Sequence, residues 1–65
     1  RMADQEMLER AVDALSPKLK TVVILRFYEG MQLSEIAQIT ETNLNTVKSR
    51  LYKALGKLRE SLKEA

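Results

Sequence analysis

The sequence predicts an all-α domain of four helices, on three observations. Apolar residues recur at helical spacing along each long segment. Ser16-Pro17 and Gly30 mark places where helices start and stop. The last third carries one narrow stripe of Val and Leu. At 65 residues this is a single small domain, burying roughly 60% of its unfolded-chain surface around a modest core. Composition agrees with a globular chain, 45% hydrophobic and 31% charged.

Residues 3–15, ADQEMLERAVDAL, read as the first helix, with Met7, Leu8, Ala11, Val12 and Leu15 on one face. Asp4 and Glu6 lie in its first turn, where the helix dipole favours acids. Ser16 is the expected cap of the second helix, with Pro17 at its first position. That helix spans 17–29. Leu19, Val22, Val23 and Phe27 share a face, and Ile24, Leu25 and Tyr28 add apolar surface elsewhere, which predicts a central, buried helix. Gly30 suits a left-handed C-cap. A short third helix covers 34–40, capped by Ser34, with Ile36, Ala37 and Ile39 inward. After Glu41-Thr42, Asn43 is the expected N-cap of a fourth helix over 44–63. At about 100° per residue, Val47, Leu51, Leu55, Leu58 and Leu62 fall within about 80° of one another and dock this helix. Asn45, Lys48, Ser49, Tyr52 and Lys53 fall on its outer side, as does Gly56.

Cysteine and histidine are both absent. A secreted domain this small would usually carry disulfides, so a reducing, cytoplasmic setting is expected. Zinc would need a site made only of carboxylates, and general-base catalysis loses its commonest side chain. Glu9 and Asp13 are four residues apart, but on a solvated face without a base or metal partner. No enzyme activity, cofactor or metal is expected. No apolar run approaches the ~20 residues of a membrane span. The chain starts at Arg1 rather than Met, which predicts the C-terminal fragment of a longer protein.

Net charge is only +2, yet it is polarised. Residues 1–43 hold five basic and seven acidic groups, net −2; residues 44–65 hold six and two, net +4. That asymmetry points to a nucleic-acid partner where total charge would not. A short helix, a turn of about three residues and a longer helix make a helix-turn-helix within a homeodomain-like or winged-helix-like three-helical core. Such a motif wants a small residue where its helices cross, and Ala37 supplies it. Its second helix must dock through one face and offer short polar and basic groups to the major groove. Asn45, Thr46, Lys48, Ser49, Tyr52 and Lys53 meet that need.

At this point the chain resembles region 4 of bacterial sigma-70 family sigma factors, the extracytoplasmic-function group above all. The resemblance runs through Ser16-Pro17, Leu25-Arg26, Gly30, Glu35-Ile36-Ala37 and Thr46-Val47-Lys48-Ser49-Arg50, and spans residues 8–63. Glu-Ile-Ala alone is weak; the complete order and spacing is strong. It implies a promoter-recognition domain that binds the −35 element of double-stranded DNA while attached to RNA polymerase. Lys48, Ser49, Tyr52 and Lys53 would face the major groove, Arg26 would reach DNA from the end of the second helix, and Thr46 and Arg50 would support phosphate contacts. The implied protein partners are the flap of the polymerase beta subunit and an anti-sigma factor.

The chain also departs from the family pattern. Glu41 stands where Gly is usual, Thr42 where an apolar residue is usual, Asn45 where Gly is frequent and Leu55 where Arg is frequent. Glu adopts left-handed backbone angles reluctantly, which predicts an irregular or loosely held turn.

Plainer readings stand beside these. Basic residues on a helix usually form a solvated face, and Lys57, Arg59 and Lys63 read as solvating. Arg26 could pair with Glu29 or Glu35 on the surface. Tyr52 could be a half-buried edge residue, and Met7 and Met31 core filler. Two rival functions remain: the effector domain of a response-regulator-type helix-turn-helix protein, which would require a palindromic site, and a helical adaptor that binds only protein.

Overall fold

The computed structural model describes residues 2–63, with side chains from residue 5 onward. Four α-helices follow in order: α1 (Met2–Asp13), α2 (Pro17–Val23), α3 (Leu33–Ile39) and α4 (Leu44–Lys63). A five-residue π-helical turn, Ile24–Tyr28, continues α2. Among the described residues there is no strand. The bounds of α4 are those the sequence predicts. The acid expected at Asp4 in the first turn of α1 lies outside the described side chains.

α4 organises the core. Its buried residues are Val47, Leu51, Ala54 and Leu58. Ala54 and Leu58 join Ala11, Val12, Leu15, Leu19 and Val23 in one cluster between α1, α2 and α4. Val47 and Leu51 join Val22, Ile36 and Ala37 in a second, between α2, α3 and α4. Half-buried Leu55 packs against both. Ala37 sits at the α3–α4 crossing, as a helix-turn-helix requires.

Several expectations need correction. α1 ends at Asp13, two residues early. The Leu15 N–H bonds the Val12 carbonyl at 3.1 Å in a tightened last turn, and Leu15 still reaches the core. Ser16 holds the N-cap position of α2 with extended backbone, but its side chain makes no capping bond. Pro17 has no N–H to satisfy, and Lys18 and Leu19 border an open groove where water can serve their amides. Ser34 is not the cap of α3. Gln32 is, and its N–H donates to Glu35 Oε1 at 2.8 Å, the reciprocal spacing of a capping box.

The second helix is less buried than its composition predicts. Phe27 is 55% exposed and Tyr28 57%. Both lie in the π turn, which packs chiefly on α3, whereas α2 itself lies against α4 and α1. Periodicity gives a residue's direction but not whether a partner helix extends that far. Ile39, expected inward, is 63% exposed. It falls about 110° from the middle of the face made by Leu33, Ile36 and Ala37. Leu62 continues the α4 stripe one turn past Leu58 and is exposed.

Two left-handed residues end helices. Gly30 has φ 72°, as predicted, and lets the Met31 N–H reach back to the Leu25 carbonyl at 3.0 Å. Glu41 has φ 56° and is the one non-glycine of this kind among the described residues. The α3–α4 turn is nevertheless regular and tightly held, which overturns the expectation of a loose one. The Glu41 N–H bonds the Gln38 carbonyl at 3.2 Å and the Thr42 N–H bonds the Ala37 carbonyl at 3.0 Å. This pair of bonds is a Schellman motif with Glu in the glycine position. Thr40 adds a hydroxyl bond to the Ile36 carbonyl at 2.7 Å and a contact to the Thr42 hydroxyl at 3.0 Å.

Two stability changes are expected. Glu41→Gly removes left-handed strain and an acid from a helix C-terminus, and should stabilise the domain by about 0.5–1 kcal/mol. In a thermal melt that is a rise of about 2–8 °C. An unchanged or lower Tm would show that the turn tolerates Glu without strain. Gly56 lies inside α4, and nothing stands within 4 Å of a Cβ built on it. Gly56→Ala should add about 0.5–1 kcal/mol through helix propensity alone. Destabilisation in urea titration would contradict that open placement.

Candidate nucleic-acid interface

The site begins with the start of α4. The Thr46 N–H donates to Asn43 Oδ1 at 2.7 Å, so Asn43 is the N-cap that its sequence position predicts. The cap fixes where helical geometry begins, and Val47, fully buried, fixes the rotation of the helix one residue later. With rotation fixed, the outward residues are determined.

Measured from Val47 at about 100° per residue, those residues sort into three lines. Along the midline, at about 160–200°, are Asn45, Ser49 and Gly56. On one flank, at about 100–140°, are Lys48, Tyr52 and Arg59. On the other, at about 240–300°, are Thr46, Arg50, Lys53 and Lys57. Lys48, Ser49, Tyr52 and Lys53 are exposed, Tyr52 to 69%. Thr46 and Arg50 are half-buried. The arrangement places short polar side chains between two lines that both contain cations.

The second flank forms one wall of an open groove. Ser16, Lys18 and Leu19 at the start of α2 form the other, with Asn43, Asn45 and Ser49 at the edge. No carboxylate lines it. Thr46, Ser49, Arg50 and Lys53 among the expected site residues therefore meet in this groove, while Lys48 and Tyr52 face outward beyond it. Lys18 and Lys57 were not among the residues that sequence reasoning selected. Nothing in the order of residues says that the start of α2 lies beside the middle of α4; the crossing of the two helices puts it there.

Arg26 stands apart from these groups. Its Nη1 donates to the Met31 carbonyl at 3.0 Å, across the α2–α3 connection. It pairs with neither Glu29 nor Glu35 among the described residues, where the ion pair found is Lys20 with Asp13 at 3.6 Å. An arginine has five N–H donors, so this bond leaves others free. Among the described residues no group of three or more acids could hold a metal, and no helix is long and apolar enough to cross a membrane.

Comparison with known proteins fits this geometry. Residues 5–58 match the family model described as sigma-70, region 4. The RNA polymerase sigma factor SigV of Bacillus subtilis is 53% identical over 55 residues, which is 85% of this chain and 33% of that protein. The RNA polymerase sigma-E factor of Streptomyces antibioticus is 43% identical over 60 residues, 92% of this chain and 33% of that one. The ECF RNA polymerase sigma factor SigE of Mycolicibacterium smegmatis is 34% identical over 55 residues, 85% of this chain and 21% of its own. The chain thus spans about a third or less of the length of these relatives. No solved structure matches the chain. A helix-turn-helix anchored on Ala37, Val47 and Leu51, matched along nearly all of its length, places this chain in the sigma-70 region 4 family.

Proposed function

We propose that this domain recognises the −35 element of double-stranded promoter DNA, as one domain of a longer sigma factor that directs RNA polymerase to start transcription. The observation that carries the reading is the outer surface of α4. A midline of Asn45 and Ser49 can meet base edges in the major groove, while cations on both flanks meet phosphates of the two strands. Lys48 and Tyr52 serve one flank, and Thr46, Arg50 and Lys53 the other. Arg26 uses its free donors on a phosphate near the end of α2 while its bond to Met31 holds it in place.

The mechanism is non-catalytic. Phosphate contacts set the register of α4 on the duplex, and its first turns read sequence. The names of the relatives, RNA polymerase sigma factors, support the polymerase as the protein partner. Within it we assign the beta-subunit flap, with an anti-sigma factor as a regulator and the cytoplasm as the setting. Membership of the region 4 family displaces the response-regulator reading.

The exposed cations of α4 are the ones to test. Lys48→Glu with Lys53→Glu should abolish binding of a −35-containing duplex in gel shifts while leaving the helical circular dichroism unchanged. For the unaltered domain, log affinity should fall against log salt by ~0.9 for each phosphate neutralised. An affinity independent of salt, or a double variant that binds as before, would leave the protein-only adaptor as the surviving reading.

A further inference from the structure

We infer that Thr40 and Thr42 are positioning residues for base recognition: their paired hydroxyls hold the first turn of α4 at its reading angle, and the pair is needed because residue 41 is Glu. The inference rests on the duplex-binding reading above and gives a role in it to two residues outside the outer surface of α4.

The pair is anchored in the core. The Thr40 hydroxyl donates at 2.7 Å to the carbonyl of Ile36, a fully buried residue of α3. That bond uses the Thr40 proton, so Thr42 is the donor in the 3.0 Å contact between the two hydroxyls. Thr42 also gives its N–H to the Ala37 carbonyl at 3.0 Å. Both threonines are half-buried, where water competes less for such bonds. The next residue is Asn43, whose side chain and carbonyl take the Thr46 and Val47 N–H groups and start α4. Packing does not settle this end of the helix by itself. Val47 is fully buried, but Leu44, three residues earlier, is 40% exposed. The first turn, which carries Asn45, therefore takes its direction from Thr42 and Asn43.

Glu41 makes the anchor necessary. It stands between the two threonines at φ 56°, a conformation that glycine adopts freely and a residue with a Cβ avoids. Its N–H bond to the Gln38 carbonyl, at 3.2 Å, is longer than those of Thr40 to Ile36, 2.9 Å, and Thr42 to Ala37, 3.0 Å. Without the hydroxyl pair, Glu41 can relax toward negative φ and carry Thr42 and Asn43 with it. Glycine at that position has no such tendency, so the same loss leaves the turn in place.

A swing of the first turn affects the contacts of α4 unequally. Asn45 and Ser49 are short, and their hydrogen bonds to base edges weaken steeply off line. Lysines reach phosphates on long flexible stems and follow a small displacement. The threonine pair therefore governs discrimination between sequences rather than affinity for the backbone.

The test measures binding of the 65-residue chain to a −35-containing duplex and a scrambled duplex by fluorescence anisotropy. The variants are Thr42→Val, Thr42→Ser, Thr40→Val, Glu41→Gly and the Glu41→Gly/Thr42→Val double form, with circular dichroism to verify helix content. Thr42→Val should lower the preference for the −35 duplex roughly three- to tenfold, the range one hydrogen bond allows, and leave affinity for the scrambled duplex within about twofold. Thr40→Val removes both links and should lower the preference at least as far. Thr42→Ser keeps a hydroxyl and should retain it. In the Glu41→Gly background, Thr42→Val should change the preference by less than about twofold. Loss of the Glu41 acid shifts affinity for both duplexes together, so each comparison is made within one background. An unchanged preference in Thr42→Val, a loss shared by both duplexes, or an equal loss with and without Glu41 would overturn the inference. If the unsubstituted chain binds neither duplex, the duplex-binding reading falls, and the role in base recognition with it. Amide hydrogen exchange then still decides the hydroxyl pair: the Thr46 and Val47 N–H groups should exchange roughly three- to tenfold faster in Thr42→Val than in Thr42→Ser, and equal rates would show that the pair holds nothing.

Discussion

Burial of one stripe of α4 is the constraint on which the rest of this structure depends. Val47 and Leu51 are held by α2 and α3, and Ala54 and Leu58 by α1 and α2. Each buried Val or Leu contributes about 1.5–3 kcal/mol of hydrophobic free energy, so few other terms in so small a domain compare. The stripe is narrow, and that has two consequences. A helix of 20 residues, about 30 Å long, is gripped along two turns of each half and cannot roll. Most of its circumference also stays outside the core. The same four buried side chains that stabilise the fold thus determine which side chains face away, and Asn45, Ser49 and the two basic flanks are outward because Val47 and Leu51 are inward.

The angle at which α4 leaves the core is set by the turn before it. Four residues reverse the chain between Ile39 and Leu44, and the reversal needs a left-handed residue after Thr40. Glu41 takes that conformation at a cost of about 1–2 kcal/mol relative to an ordinary helical residue. Two Schellman bonds and the Thr40 hydroxyl bond to Ile36 offset it. Asn43 then caps α4. Hydrogen bonds thus hold the turn on both sides, from Ile36 to Thr42 and from Asn43 to Val47, so the orientation of the outer surface of α4 is fixed locally as well as by packing.

Much of this could be seen in the sequence, for a physical reason. Elements whose signals are local, such as the Asn43 cap, the left-handed Gly30 and the stripe of α4, appear where expected, because each depends on neighbours within a turn. What could not be read depends on distance in space. Phe27 is apolar and correctly phased, yet exposed, because the helix that would cover it does not reach, and Ile39 lies off the face that α3 buries. Ala54, fully buried, contributes little apolar signal despite lying on the stripe. Glu41 shows the opposite: its reluctance toward left-handed angles predicts looseness, yet the surrounding hydrogen bonds are enough to impose the turn on it. At the site, α4 residues were legible because helical phase orders them, whereas Lys18 and Lys57 became relevant only through the crossing of α2 and α4.

The placement of charge also bears on how such a domain can be used. A net charge of +2 is small for a partner of DNA, and six of the eleven cations lie on α4. Such a surface can neutralise only a few phosphates, so its free energy of association must be modest and strongly dependent on salt. Modest affinity is a disadvantage for a protein that must find a site alone. For a domain carried by a larger assembly it is not, because tethering raises the effective concentration of the second contact to the millimolar range without any new interaction. It also leaves the contact reversible, since a weak surface can be released once other contacts hold the complex. The small, polarised charge of this domain and its rigidly presented helix are therefore both consistent with the proposed role, in which rigidity would supply discrimination between sequences and a larger assembly would supply affinity.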